Sequence, residues 1–259
     1  MVNISFTLQD FEYFFLILVR MSAFIAVAPY FSMSQVPTKV KVGIAFSVSM
    51  LLWFMVPEGT IVYETVIDYA VIVLKEAVVG LLIGFAASLC NYIILFAGRI
   101  IDMDMGFAMV NVFDPVTKEQ VSISGTLYNY LIMLCLLCSG MHTYVLRALI
   151  DSYQLIPINE AVFNINGLYQ GMLEFLSDYV IIGFRICLPI FMSIMVLNVV
   201  LGVLAKVAPQ MNMFVVGMQL KILTGLVVMF VTVYLLPSIS NFIFSETKKM
   251  LVTFIENMY

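Results

Sequence analysis

Charge is the scarcest feature of this chain. Of its 259 residues 11% are charged and 63% are hydrophobic, against roughly 25% and 45–50% in a soluble domain. So little charge cannot clothe a water-facing surface, which excludes a soluble globule. The formal net charge of −4 excludes the basic footprint of a nucleic-acid binder. Histidine occurs once, at His142, so no histidine-rich metal site can be built. Without a second histidine or a clustered acid–base pair there is no hydrolase constellation, and the expectation is a protein that is not an enzyme. Neither G-x-x-x-x-G-K-[ST] nor G-x-G-x-x-G occurs, so no nucleotide, and no other cofactor, is expected. The four cysteines lie in apolar runs. Cys135 and Cys138 form a C-x-x-C without a redox-domain pattern around it and read as small residues on one helix face. The amino terminus lacks a basic stretch and a small-residue cleavage site, so no removable leader is expected.

What the chain has in abundance is long apolar sequence, with a mean hydropathy of +1.08. A bilayer admits only helices and closed barrels, since every backbone polar group must be paired internally. Barrel strands alternate in polarity over about ten residues, and these runs do not. The reading is therefore an all-α integral membrane protein with about six hydrophobic helical segments, at 11–31, 42–56, 66–97, 127–150, 179–205 and 213–244. About 20 residues cross the hydrocarbon. The second run is short, and the third and sixth are long enough to tilt or break. Pro29, Pro189 and Pro237 stand in or near these runs, where each removes a backbone donor.

Connections alternate in charge. Those after the first, third and fifth segments carry Lys39 and Lys41, Arg99 and Lys118 mixed with acids, and Lys206; those between are acidic and carry no base. The positive-inside rule then puts the amino terminus outside the cytoplasm. Lys248 and Lys249 do not fit that scheme.

Several residues interrupt the apolar pattern. Arg20, Lys75, Glu76, Arg185 and Lys221 fall within spanning segments, where a charge costs roughly 2.5–3.5 kcal/mol on insertion scales. They could line a polar path, or they could pair within a larger assembly. Lys75 and Glu76 point about 100° apart on a helix and cannot share one groove. Gly80, Gly84 and Ser88 form a small-residue stripe at spacing four, which predicts close helix packing. Of the nineteen methionines, Met103, Met105 and Met109 crowd the third connection and Met211, Met213 and Met218 the fifth. Such side chains are either ordinary filler or an adaptable seal. In the third connection the apolar stretch Gly106, Phe107, Ala108, Met109, Val110, Asn111, Val112 and Phe113 lies between Asp102 and Asp104 on one side and Asp114–Pro115 on the other. An apolar loop bracketed by charge reads as a re-entrant element, allowed where protein or a cavity surrounds it. It is either a buried connector or a plug.

Five ordered fragments carry a family resemblance. They are Arg20 with Pro29, VPTKVK from Val36, KEAVVGLLIGF from Lys75, G-x-x-x-D-x-x-x-G-F from Gly98 to Phe107, and KVAPQMNMFVVGMQLKILTGL from Lys206. Together they resemble the FliR family of the flagellar export apparatus, called SctT or YscT in injectisomes. The resemblance covers residues 1–259 as a single export-gate membrane domain. The pattern through Pro209, Gln210, Asn212, Phe214 and Gly217 leans toward the flagellar branch. The resemblance implies a non-enzymatic subunit of the bacterial inner-membrane export gate in the flagellar basal body. Its partners there would be several FliP- and FliQ-like subunits, FlhB and FlhA, with membrane lipid around them and unfolded flagellar proteins in transit. It also implies helical hairpins wound into a channel partly above the membrane, with the loop from Gly106 to Asp114–Pro115 plugging it through Phe107, Met109, Val110 and Phe113. The alternative is a secondary transporter or channel for a small solute, working without such partners; no internal repeat supports it.

Overall fold

The computed structural model describes residues 8–32, 36–56, 63–107, 122–210 and 212–259. These form α1 (Leu8–Val27), α2 (Thr38–Trp53), α3 (Val66–Met105), α4 (Ile123–Cys138), α5 (Met141–Leu155), α6 (Ile165–Val207), α7 (Met213–Thr232), a 3-10 turn (Val233–Leu235) and α8 (Leu236–Glu256). No strand occurs among the described residues, and the all-α reading holds.

The apolar runs do not map one to one onto helices. The third extends into the 40-residue α3, and the fifth lies inside the 43-residue α6. At 1.5 Å per residue each is about 60 Å long, roughly twice the hydrocarbon thickness. Among the described residues, three helical stretches are long and apolar enough to cross a membrane: α3, α6, and α7 with α8. The fourth run is not one helix. It breaks at Ser139–Gly140, where Gly140 takes φ +75, and α4 and α5 meet at 66°. Counted as one broken span, that pair makes a fourth candidate. At 16 residues α2 is about 24 Å long, too short for a straight crossing.

The chain divides into two compact units. The first holds α1, α2, α3 to Leu89, α5, α6 to Phe175 and the end of α8 from Ser245. Its core rests on Leu16, Ile17, Met21 and Phe24 of α1, all fully buried. Helix α1 packs on α2, with Phe14 and Phe46 meeting edge to face at 5.7 Å. Helix α5 buries Met141, Val145, Leu149, Ser152 and Tyr153 and leaves Thr143, Arg147, Asp151 and Gln154 exposed. A stripe of that kind belongs to a helix half in water.

The second unit holds α3 from Cys90, α4, α6 from Leu176, α7 and α8 to Phe244. Glycines set its crossings. Gly98 and Gly125 approach so closely that a Cβ on Gly98 would collide with Gly125 Cα. A Cβ on Gly225 would stand 2.7 Å from Met105 Cγ. Pro189 is tolerated inside α6, where it withdraws one donor and Ser193 Oγ donates to its carbonyl at 2.8 Å. Pro237 stands in the first turn of α8, where the missing N–H is no loss. The later half of α6 and most of α7 expose apolar side chains in this chain alone, Val199, Val203, Phe214 and Phe230 among them. Such surfaces need lipid or other helices around them.

Candidate functional site

In the fragment from Gly98 to Phe107 the glycines and Asp102 each have a structural use. Gly98 lets α4 approach α3. One turn on, Asp102 is 4% exposed and its Oδ1 accepts the Ser124 N–H at 3.1 Å. Ser122 caps the same helix by accepting from the Gly125 N–H at 2.9 Å. A carboxylate and a hydroxyl thus serve donors that the first turn of α4 cannot pair itself, where a negative charge is also favoured by the helix dipole. Gly106 then takes φ +87, a left-handed backbone that glycine adopts without penalty, and the chain leaves α3.

At that exit lies a cavity of about 430 Å³, lined by Met103, Asp104, Met105 and Gly106 of the α3 end, Asn198 and Leu201 of α6, and Met213, Phe214, Gly217, Met218 and Lys221 of α7. Four thioethers and a phenyl ring make its wall soft and apolar. Asp104, Asn198 and Lys221 are the polar exceptions. The positions follow from helical spacing: Gly217 and Lys221, like Phe214 and Met218, are four apart on one side of α7. Gly217 is small because Leu201 is close, a Cβ there standing 3.3 Å from Leu201 Cδ1. Two sequence fragments more than a hundred residues apart therefore build one site.

Phe214 and Gly217 lie in this cavity, and Asn212 begins α7, its carbonyl accepting the Val216 N–H at 3.2 Å. Pro209 and Gln210 are exposed in the turn before it. Of the apolar loop, Gly106 and Phe107 are described; Ala108, Met109, Val110, Asn111, Val112, Phe113, Asp114 and Pro115 lie outside the described residues.

The embedded charges separate into distinct environments. Arg20 and Glu76 are fully buried and joined at 2.6 Å. Arg20 Nη1 also donates to the Ile156 carbonyl at 3.0 Å and its guanidinium lies 4.3 Å from the centre of the Tyr153 ring. Glu76 Oε1 accepts the Asn159 N–H at 3.0 Å. Lys75, the neighbour on α3, is half-buried instead. Lys221 is half-buried in the cavity, and Arg185 is exposed beside a smaller apolar hollow of about 250 Å³ with Ile182, Leu235 and Phe242. Gly80 and Gly84 face α1: a Cβ on Gly84 would lie 2.9 Å from the Phe24 carbonyl oxygen, and one on Gly80 would strike that of Arg20. Ser88 is buried on the same stripe, its hydroxyl donating to Phe85 O at 2.9 Å.

Sequence reasoning gave Asp104 no role beyond bracketing the loop and passed over Asn198. The signal for Asn198 was available, since it is the one amide in the uncharged run 186–205. Among the described residues no group of histidine, cysteine and acidic side chains could hold a metal ion.

Helices of this length with exposed apolar faces define an integral membrane protein of the multi-helix kind. The chain belongs to the bacterial export proteins, family 1, whose family model matches residues 11–247. It is 29% identical to the "Flagellar biosynthetic protein FliR" of Bacillus subtilis (strain 168) over 241 residues, 92% of each chain. The Escherichia coli (strain K12) protein of that name is 26% identical over 93% of this chain and 92% of its own length. The "Surface presentation of antigens protein SpaR" of Shigella flexneri is 27% identical over 78% of each.

Proposed function

We propose that this chain is a non-enzymatic subunit of the flagellar protein-export gate of the bacterial inner membrane, which helps to form and close the channel that unfolded flagellar proteins cross. The observation that carries the reading is its likeness to flagellar FliR proteins over nine-tenths of its length. The cavity supports the closing role. The apolar loop leaves α3 at Gly106, beside a methionine-lined wall that can re-pack around a changing shape. Residues 106–115 act as the plug, with Phe107, Met109, Val110 and Phe113 as its sealing side chains. The exposed apolar faces of α6 and α7 take FliP- and FliQ-like subunits, and FlhB and FlhA complete the assembly. The amino terminus lies on the extracytoplasmic side.

Gentle detergent extraction of the tagged chain from its native membrane, followed by mass spectrometry, tests the assembly. Recovery with FliP- and FliQ-like proteins supports the gate. Recovery as a stable monomer or homodimer would revive a small-solute transporter and overturn the proposal. In the assembled complex, deleting residues 106–113 should make the membrane leaky to small ions; unchanged conductance would remove the plug assignment.

A further inference from the structure

Among the described residues Asp104 is the one acidic side chain on the cavity wall. Its Oδ2 atom is buried and has no hydrogen-bond partner among the described residues. Asp104 is half-buried, so water reaches part of the carboxylate while Oδ2 stays unpaired, a placement that a nearby cation favours. Asp102, two residues earlier, also carries an unpaired Oδ2, but its Oδ1 accepts the Ser124 N–H and its side chain points to a different side of α3.

Lys221 is the one base on the same wall among the described residues. The two are not in direct ion-pair contact. The thioethers and Asn198 border the same cavity. Asp104 stands two residues before Gly106, where α3 ends, and Lys221 stands one turn beyond Gly217 on α7.

We propose that Asp104 and Lys221 are a positioning pair, an electrostatic tether from the end of α3 to α7 that holds the root of the apolar loop at the cavity. This deepens the closing role and rests on that reading. Neither residue does chemistry; the pair fixes where the loop begins.

The test uses the whole export complex, comparing Asp104→Asn, Lys221→Gln, the exchange Asp104→Lys with Lys221→Asp, and the conservative Asp104→Glu. Passive ion conductance of membranes carrying each complex is the first measurement. Each single neutral variant should raise it by a factor of a few, up to about tenfold, as the loss of one attraction through the cavity would. The exchange and Asp104→Glu should restore most of the seal, which a merely space-filling role would not predict. The second measurement is the thermal disassembly temperature of the same complexes, read as a double-mutant cycle. Neutral variants that seal like the parent while deletion of residues 106–113 leaks would overturn the tether and leave the plug standing. If that deletion does not leak, the plug reading fails instead and the cycle decides: coupling between positions 104 and 221 keeps the tether, and additive effects overturn it.

Discussion

The Arg20 guanidinium and the Glu76 carboxylate meet at 2.6 Å with neither side chain exposed to solvent. Two charges at full burial are tolerated because each has further partners, the Ile156 carbonyl and Tyr153 ring for the base and the Asn159 N–H for the acid. The pair thereby fastens α1, α3 and the segment after α5 at one point. Asn159 takes φ +72, and its N–H is what Glu76 holds.

Breaking one side of this contact should therefore be far worse than removing both. Glu76→Gln or Arg20→Met leaves an uncompensated buried charge or an unfilled donor set and should destabilise the chain by about 3–5 kcal/mol. Arg20→Met combined with Glu76→Leu should recover much of that loss. Denaturant titration in detergent reads the cycle; additive single effects would show that the charges do not depend on each other.

The small-residue stripe faces the chain's own α1, which gives a graded expectation. Gly84→Ala places a methyl 2.9 Å from the Phe24 carbonyl oxygen and 3.3 Å from the Ala28 amide nitrogen. Overpacking of that kind costs about 1–3 kcal/mol. Gly84→Leu should go further and prevent normal assembly without preventing membrane insertion. By contrast Gly43→Ala, with nothing within 4 Å of its Cβ, should be neutral or slightly stabilising through helix propensity. Thermal unfolding in one detergent ranks them, and equal effects at Gly43 and Gly84 would refute the packing assignment.

Much of this was legible in the sequence, for physical reasons. Hydropathy dictates helices in a membrane, and a stripe at spacing four must lie on one face whatever it touches. Adjacent Lys75 and Glu76 had to part company, and they do, one half-buried and the other fully buried. What spacing cannot reveal is the partner. Arg20 reaches Glu76 across 56 positions and Ile156 across 136, and no local period encodes such contacts. The break at Gly140 was hidden for a different reason. Apolar sequence continues through it, and only the change from an all-round apolar α4 to the one-sided pattern of α5 marks two helices there.

The crossing of α3 and α4 depends on two glycines at once. Gly98→Ala meets the Gly125 backbone, which cannot rotate away as a side chain can. Gly98→Ala should therefore be strongly destabilising, while Asp102→Ala, which removes one acceptor from the α4 N-terminus, should cost only about 1 kcal/mol. Protease accessibility of α4 in the purified complex separates them: exposure should rise sharply in the first variant and little in the second. A reversed order would place the main constraint in the cap.

Gly106 offers a test in which backbone and space pull apart. Its φ of +87 penalises any side chain, yet among the described residues the nearest heavy atom to an added Cβ is Met218 Cγ at 4.0 Å. A clash would penalise residues by size, whereas strain penalises them by backbone preference. Gly106→Asn should therefore be tolerated better than Gly106→Ala, since asparagine enters the left-handed region more readily despite its greater bulk. Gly106→Val should be worst, by about 1–3 kcal/mol, because a β-branched residue at positive φ is held only by strong surrounding constraint. Thermal disassembly of the complex gives the order directly. Alanine ranking above asparagine would mean that crowding at the cavity, rather than the turn out of α3, dictates glycine at this position.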